Sequence, residues 1–194
     1  MMTATLLDRE NAVLVIVDVQ GRLAAAMDRR DEVLNAVTFL VAVAGIVGVP
    51  VVITRQYPTG LGDTEPVVLE ALAQIEASGA TVAHADKVAF DCFREPEFRS
   101  VLEGIGRRQM VLLGMETHIC VTQTAVSALA DGWDLHVVED ACCSRAMNAH
   151  ASAMERMRAA GAVITVTESA AYELVGEAGT PQFKALLGLV KARG

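Results

Sequence analysis

Cys120 stands where a thiol can be made nucleophilic. It follows an apolar run, Gln109 to Leu113, that reads as a buried strand, and from Thr117 onward Val121, Ala125, Ala128 and Leu129 recur at helical spacing. The pattern predicts a strand running into a helix, with Cys120 in or beside the first helical turn. Unpaired backbone N–H groups and the positive end of the helix dipole there lower a thiol's pKa and favour the thiolate. Read alone, Cys120 is equally well a small buried hydrophobe, as most free cysteines are. Two other residues carry complementary chemistry: Asp18 closes the aliphatic run Ala12-Val13-Leu14-Val15-Ile16-Val17, and Lys87 stands at the charged start of the segment Asp86 to Phe93. A base, a cation and a thiol converging on one crevice suit acyl transfer. Asp18 would accept the Cys120 proton, pass it to a leaving amine, and then activate water against the thioester. Lys87 would hold Asp18 and add positive charge that favours the thiolate. Taken singly, Asp18 is a strand-end carboxylate capping the next helix and Lys87 a solvated loop charge, so topology has to decide.

The elements that must position these groups are legible in outline. The run closed by Asp18 has the pattern of a strand buried on both faces of a parallel sheet. A helix follows over about Arg29 to Val47, then a strand over Val51 to Thr54, and a helix over about Pro66 to Ala77 with proline suited to its first turn. A third strand spans roughly Thr81 to Ala85, which puts Lys87 just past its end. A short helix over Glu95 to Glu103 leads to the fourth strand. The helix after Cys120 ends near Asp131-Gly132, where glycine can take a left-handed cap. A fifth strand over Leu135 to Val138, a loop over Ala141 to Ala146, a helix over Asn148 to Ala160, a sixth strand over Val163 to Val166 and two short helices complete the chain. The alternation predicts an α/β fold: a three-layer αβα, doubly wound six-stranded parallel sheet in a single domain over residues 1–194. In the order 3-2-1-4-5-6 ligands sit outside the carboxyl ends of strands 1 and 4. Asp18 ends strand 1 and Cys120 follows strand 4. Lys87 is two strand spacings away, roughly 10 Å, which a loop and a long side chain can span.

Composition excludes several functions. Hydrophobic residues make up 53% and aromatic residues 4%, so the core is aliphatic and the chain is no disordered segment. A net charge of −8 and the absence of any Lys/Arg run leave no basic field for a nucleic acid. The four cysteines, Cys92, Cys120, Cys142 and Cys143, show no paired spacing, and a reduced, cytoplasmic protein is expected. Met1 to Asn11 carries Asp8, Arg9 and Glu10 and lacks the layout of a signal peptide. Ala36 to Ile53 imitates a membrane span, but Gly48-Val49-Pro50 divides it into helix, turn and strand. Thr38 is the only polar side chain from Ala36 to Val47, so that helix has no polar face. A homo-oligomer is expected, with contacts through this helix or the one after Cys120.

His84, His118, His136 and His150 are scattered and form no pair at metal-ligand spacing, so neither a metal nor a cofactor is expected. Gln20, Tyr57, Phe90 and His118 are candidate pocket residues for a small-molecule substrate. Phe93 suits pocket or core, Cys142 and Cys143 suit packing, and Arg145 could pair with an acidic substrate or with Asp140. A dinucleotide enzyme on the same sheet would need a glycine-rich turn after strand 1, which reads Asp18-Val19-Gln20-Gly21-Arg22 instead. A non-catalytic interaction protein with the same fold is the remaining alternative.

Three motifs now meet a family. Val15-Ile16-Val17-Asp18-Val19-Gln20, Lys87-Val88-Ala89-Phe90 and Gly114-Met115-Glu116-Thr117-His118-Ile119-Cys120-Val121 together resemble the isochorismatase-like cysteine hydrolases, over about Ala12 to Lys184. Gln56 to Gly62, Asp140 to Arg145 and Pro181 to Lys184 make the chain most similar to the isochorismatase-domain-containing proteins of animals and their bacterial relatives. The resemblance implies a triad of Asp18, Lys87 and Cys120, and amidase-like hydrolysis through a thioester. It also implies a cis peptide between Met115 and Glu116, with the backbone N–H groups of Glu116 and Cys120 as an oxyanion hole. True isochorismatases of the family lack the cysteine and cleave an enol ether, so the cysteine kept here points to C–N bonds. Nicotinamidases hold a metal with histidines downstream of strand 2. Thr54 to Gly60 offers none, which makes nicotinamide a doubtful substrate. The family's habit of forming oligomers agrees with the expectation above.

Overall fold

Six consecutive aliphatic residues leave a strand no polar face, and β1 (Ala12–Val17) is accordingly buried throughout. The computed structural model describes residues 5–193; Met1 to Ala4, part of the N-terminal stretch read above, lie outside the described residues, as does Gly194. Around β1 the strands β2 (Val51–Gln56), β3 (Val82–Lys87), β4 (Gln109–Met115), β5 (Asp134–Cys143) and β6 (Val163–Thr165) form one sheet in the order β3-β2-β1-β4-β5-β6. All named pairs are parallel, and Val17 has Thr54 on one side and Gly114 on the other. The chain order therefore reverses between β1 and β4, as the alternation predicts.

The helices are α1 (Gly21–Ala24), α2 (Arg30–Val47), α3 (Pro58–Leu61), α4 (Pro66–Ala77), α5 (Pro96–Ile105), α6 (Thr122–Ala130), α7 (Met147–Ala160), α8 (Thr167–Val175) and α9 (Pro181–Arg193). Proline opens α3, α4, α5 and α9, where its missing N–H is no loss. A single turn of wider π-type pitch, Thr117–Val121, joins β4 to α6.

Several boundaries differ from the sequence reading. Strands β2 and β3 run two residues further than expected, so Lys87 is the last residue of β3 and not part of a loop. Strand β5 continues through Cys143, past the polar Glu139-Asp140 that suggested its end, because an irregularity shifts its register against β4 between Leu112 and Gly114. The loop expected from Ala141 is thereby shortened. The apolar far side of α2 is covered from within the chain: α2 packs against α4, β5, α8 and α9, and Arg193 lies 4.6 Å over the Phe39 ring. The last helix spans 13 residues, longer than the short element expected, and it supplies part of this cover. The bare face of α2 therefore no longer argues for a second subunit. Among the described residues no helix is long and apolar enough to cross a membrane.

Candidate active site

The site forms where the backbones of β1 and β4 come closest. Gly114 has φ +127°, and a Cβ placed there would lie 2.1 Å from the Val17 carbonyl oxygen. Only glycine fits that approach. Asp18, the next residue of β1, takes φ 55°, a left-handed conformation that aspartate tolerates better than most residues. Its carboxylate is fully buried. Oδ1 accepts the Thr54 hydroxyl at 2.8 Å, and Oδ2 lies 2.6 Å from Lys87 Nζ. Lys87 is itself buried and also donates to Gln56 Oε1 at 2.6 Å and to the carbonyls of Ala89 and Phe90 at 3.3 Å. Burial is the largest single influence and works against the lysine's charge, but Asp18 together with Cys92 and Cys120 outweighs it, and the pKa lies above the ordinary lysine value. The result is a buried ion pair whose cation has four acceptors around it.

Cys120 sits in the turn between β4 and α6, 5% exposed. The expectation of a lowered thiol pKa is not met. Burial pushes the Cys120 thiol up, the facing Asp18 carboxylate adds to the rise by charge and hydrogen bonding, and Lys87 offsets only part. The Asp18 carboxylate acts on the sulfur in the opposite sense to Lys87 and more strongly. The resting group is a thiol beside a carboxylate. The other cysteines are buried as well; burial pushes Cys92 and Cys143 up to about 12 and Cys142 higher.

Beside the thiol, the Met115–Glu116 peptide is cis, as the resemblance implies. The Glu116 carbonyl accepts from the N–H groups of Ile119 and Val121, which holds the turn under Cys120. The Glu116 carboxylate is buried, and its Oε2 accepts from both the backbone N–H and Nε of Arg145 at 3.1 Å. Arg145 thus pairs with Glu116. Asp140, the partner considered for it, instead accepts Thr167 N and Oγ1 at 2.7 Å at the start of α8. His118 is half-buried with Nδ1 2.9 Å from Ser144 Oγ.

The pocket residues read from sequence divide. Tyr57 and Phe90 are exposed at 54% and 52%, and Tyr57 lines a cleft of about 210 Å³ with Pro58, Asp86, Lys87, Val88 and Glu95. Gln20 is not among the residues lining this cleft. It is fully buried, its amide donates to the Gln56 and Gly62 carbonyls, and its Oε1 accepts Gln56 N–H. It therefore ties β1 to the loop after β2. Phe93 is core, edge-on to Phe98 and Trp133. Thr54, Gln56 and the Glu116 side chain were not assigned roles from sequence. Thr54 and Gln56 did leave a signal, polar residues at alternate positions ending an apolar strand. Among the described residues no group of three or more His, Cys, Asp or Glu side chains could hold a metal ion. A concavity of about 620 Å³ between α2 and α9 contains none of Asp18, Lys87 and Cys120, so size does not mark the site.

Comparison with known proteins matches the isochorismatase domain to residues 12–169. Isochorismatase domain-containing protein 1 of Salmo salar is 33% identical over 175 residues, 90% of this chain and 59% of that protein's length. Among solved structures, MAR1 ribonuclease from Caenorhabditis elegans superposes with a TM-score of 0.87 at 31% identity, covering 96% of this chain and 93% of that one. YcaC from Pseudomonas aeruginosa, solved with hexane-2,5-diol and covalent acrylamide, gives 0.86 at 27% identity, covering 97% and 93%. With the strand order, the switch point and the three motifs in agreement, this chain belongs to the isochorismatase family.

Proposed function

We propose that this protein is a cysteine hydrolase that cleaves the C–N bond of a small amide-type substrate through a thioester on Cys120. The observation that carries this reading is a thiol set against the buried Asp18–Lys87 ion pair. A thiol of raised pKa is a poor nucleophile unless its proton leaves as the S–C bond forms, and Asp18 is the acceptor at hand. Cys120 Sγ attacks the carbonyl carbon while Asp18 takes the thiol proton. The N–H groups of Glu116 and Cys120 receive the oxyanion. Collapse breaks the C–N bond, and the amine departs with the proton from Asp18. Water then attacks the thioester as Asp18 removes its proton, releasing a carboxylic acid and returning the thiol. Lys87 stays paired with Asp18 and holds it in place through both halves, and Gln56 and Thr54 hold that pair.

The ribonuclease name of the nematode relative suggests phosphodiester chemistry. A net charge of −8 and a site lysine already paired with Asp18 favour the amide reading. The competing proposal, an interaction protein that retains the fold, is separated by screening simple amides and ureido compounds against wild type and Cys120→Ala. Turnover that disappears in the variant supports the hydrolase; no turnover and no Cys120 adduct supports the alternative. Assembly as a homo-oligomer remains a proposal, now resting on α6, where Val126 is exposed. Sedimentation equilibrium tests it, and a single 20.5 kDa species would refute it.

A further inference from the structure

The chain has no basic run in sequence, yet folding gathers Arg99, Arg107 and Arg108 around one pocket of about 300 Å³, together with Phe93, Trp133, Glu103 and Asp131. This pocket is not part of the candidate active site. Arg107 and Arg108 precede β4 and Asp131 and Trp133 precede β5, whereas Asp18 and Cys120 follow β1 and β4. The pocket therefore opens at the amino ends of the strands.

Its cations are held in place but not satisfied. Arg99 lies 5.2 Å over the Phe93 ring and Arg108 5.5 Å over the Trp133 ring, so two guanidinium groups rest on adjoining aromatic shelves. Arg99 spends its Nε on the Phe93 carbonyl. Its Nη1 and that of Arg108 stand 3.7 and 3.8 Å from the two oxygens of Asp131, beyond hydrogen-bond distance. One carboxylate is shared loosely by two guanidiniums and also accepts Trp133 Nε1 at 3.3 Å. Arg107 donates to the carbonyls of Arg9 and Ala12 at 2.6 and 2.7 Å, which use its protons and leave its charge uncompensated. A helix C-terminus such as that of α5 attracts arginines by itself. That attraction does not require two guanidiniums stacked side by side with their forks open.

We propose that this pocket binds a compact phosphate-type dianion, with the forks of Arg99 and Arg108 as its donors. Guanidinium forks match tetrahedral oxyanions in pairs of hydrogen bonds, and with Asp131 displaced the three guanidiniums face only Glu103, a local excess of positive charge that suits a dianion. Asp131 occupies the place of that anion at poor distance. It is the competitor that an entering phosphate displaces. The source is either free phosphate or the phosphate group of a small metabolite.

Trp133 is the only tryptophan of the chain, so its fluorescence reports this pocket alone. Full-length protein is titrated with inorganic phosphate and with glycerol phosphate at constant ionic strength, with chloride as the control, and the midpoints are checked by calorimetry. Saturable binding is expected for phosphate and absent for chloride; tighter binding of glycerol phosphate assigns the metabolite source, and equal or weaker binding assigns free phosphate. Arg108→Gln and Arg99→Gln should each weaken binding by about tenfold or more, as loss of a charge-assisted pair requires. Asp131→Asn should tighten it, which a purely structural Asp131 would not do, and Arg193→Gln should leave it unchanged. If either arginine variant were poorly folded by circular dichroism, the Asp131→Asn titration decides. A response that follows ionic strength, no saturation, or equal binding by wild type and Arg108→Gln would overturn the proposal.

Discussion

Two of the places where this sheet buries polar side chains are built in opposite ways. At the carboxyl ends of β1 to β3, Asp18 and Lys87 are buried with Thr54, Gln56 and two backbone carbonyls closed around them. On β5, His136 is fully buried with neither ring nitrogen in a hydrogen bond; its nearest charge, Asp134, is 3.6 Å away. A buried charge survives only when its surroundings are arranged for it, whereas a neutral imidazole can be carried as a moderate cost. The difference separates a site that the surrounding fold supports from a polar residue that it merely tolerates.

The comparison breaks most visibly at Lys87. Lys87→Met leaves the Asp18 carboxylate buried without its cation, and urea unfolding at pH 7 should show a loss of about 3–5 kcal/mol together with loss of turnover. Gly114→Ala drives a methyl group into the Val17 carbonyl at a φ that alanine resists. We expect a loss of about 1–3 kcal/mol or more by the same assay, with Cys120 reactivity reduced because β1 and β4 are pushed apart. Gln56→Leu removes an acceptor from Lys87 and a donor from the Val88 carbonyl, which should cost about 1–3 kcal/mol.

His136→Leu sharpens the contrast from the other side. No hydrogen bond is lost, so stability at pH 7 should change by less than about 1 kcal/mol in either direction. The pH dependence carries the sign. Burial lowers the His136 pKa, so the unfolded chain binds the proton more readily than the folded one. The stability this neutral imidazole contributes is present above the unfolded value near 6.5 and is lost as the pH falls toward the depressed folded value. His150, lowered by burial and by Arg29, acts in the same direction. Thermal melts from pH 7.5 to 5 should flatten in His136→Leu, and an unchanged slope would show that other groups govern acid sensitivity.

Much of this was legible in the sequence because a parallel sheet writes its strands as aliphatic runs. β1 carries no polar residue and β4 none after Gln109, and their order placed Asp18 and Cys120 at the switch point. What stayed hidden depended on three dimensions. Glu139-Asp140 looked like the end of a strand because the register shift that lets β5 continue leaves no local mark. Gln20 looked like a pocket residue because its partners, Gln56 and Gly62, are distant in the chain. The Cys120 pKa was read from its helix turn, whereas burial and the facing carboxylate dominate once the chain is folded. The cover over α2 comes from α8 and α9, whose packing no periodicity reveals.

The central claim is that Asp18 is the base for a Cys120 nucleophile, and one measurement tests it directly. Intact protein is exposed to a small electrophile such as acrylamide, and the adduct is mapped and timed by mass spectrometry in wild type and Asp18→Asn. A single adduct on Cys120 is expected, formed at least about 100-fold more slowly in Asp18→Asn, the lower bound for a positioned general base. An adduct that forms first on Cys92, Cys142 or Cys143, or a Cys120 rate unchanged by Asp18→Asn, would contradict the account.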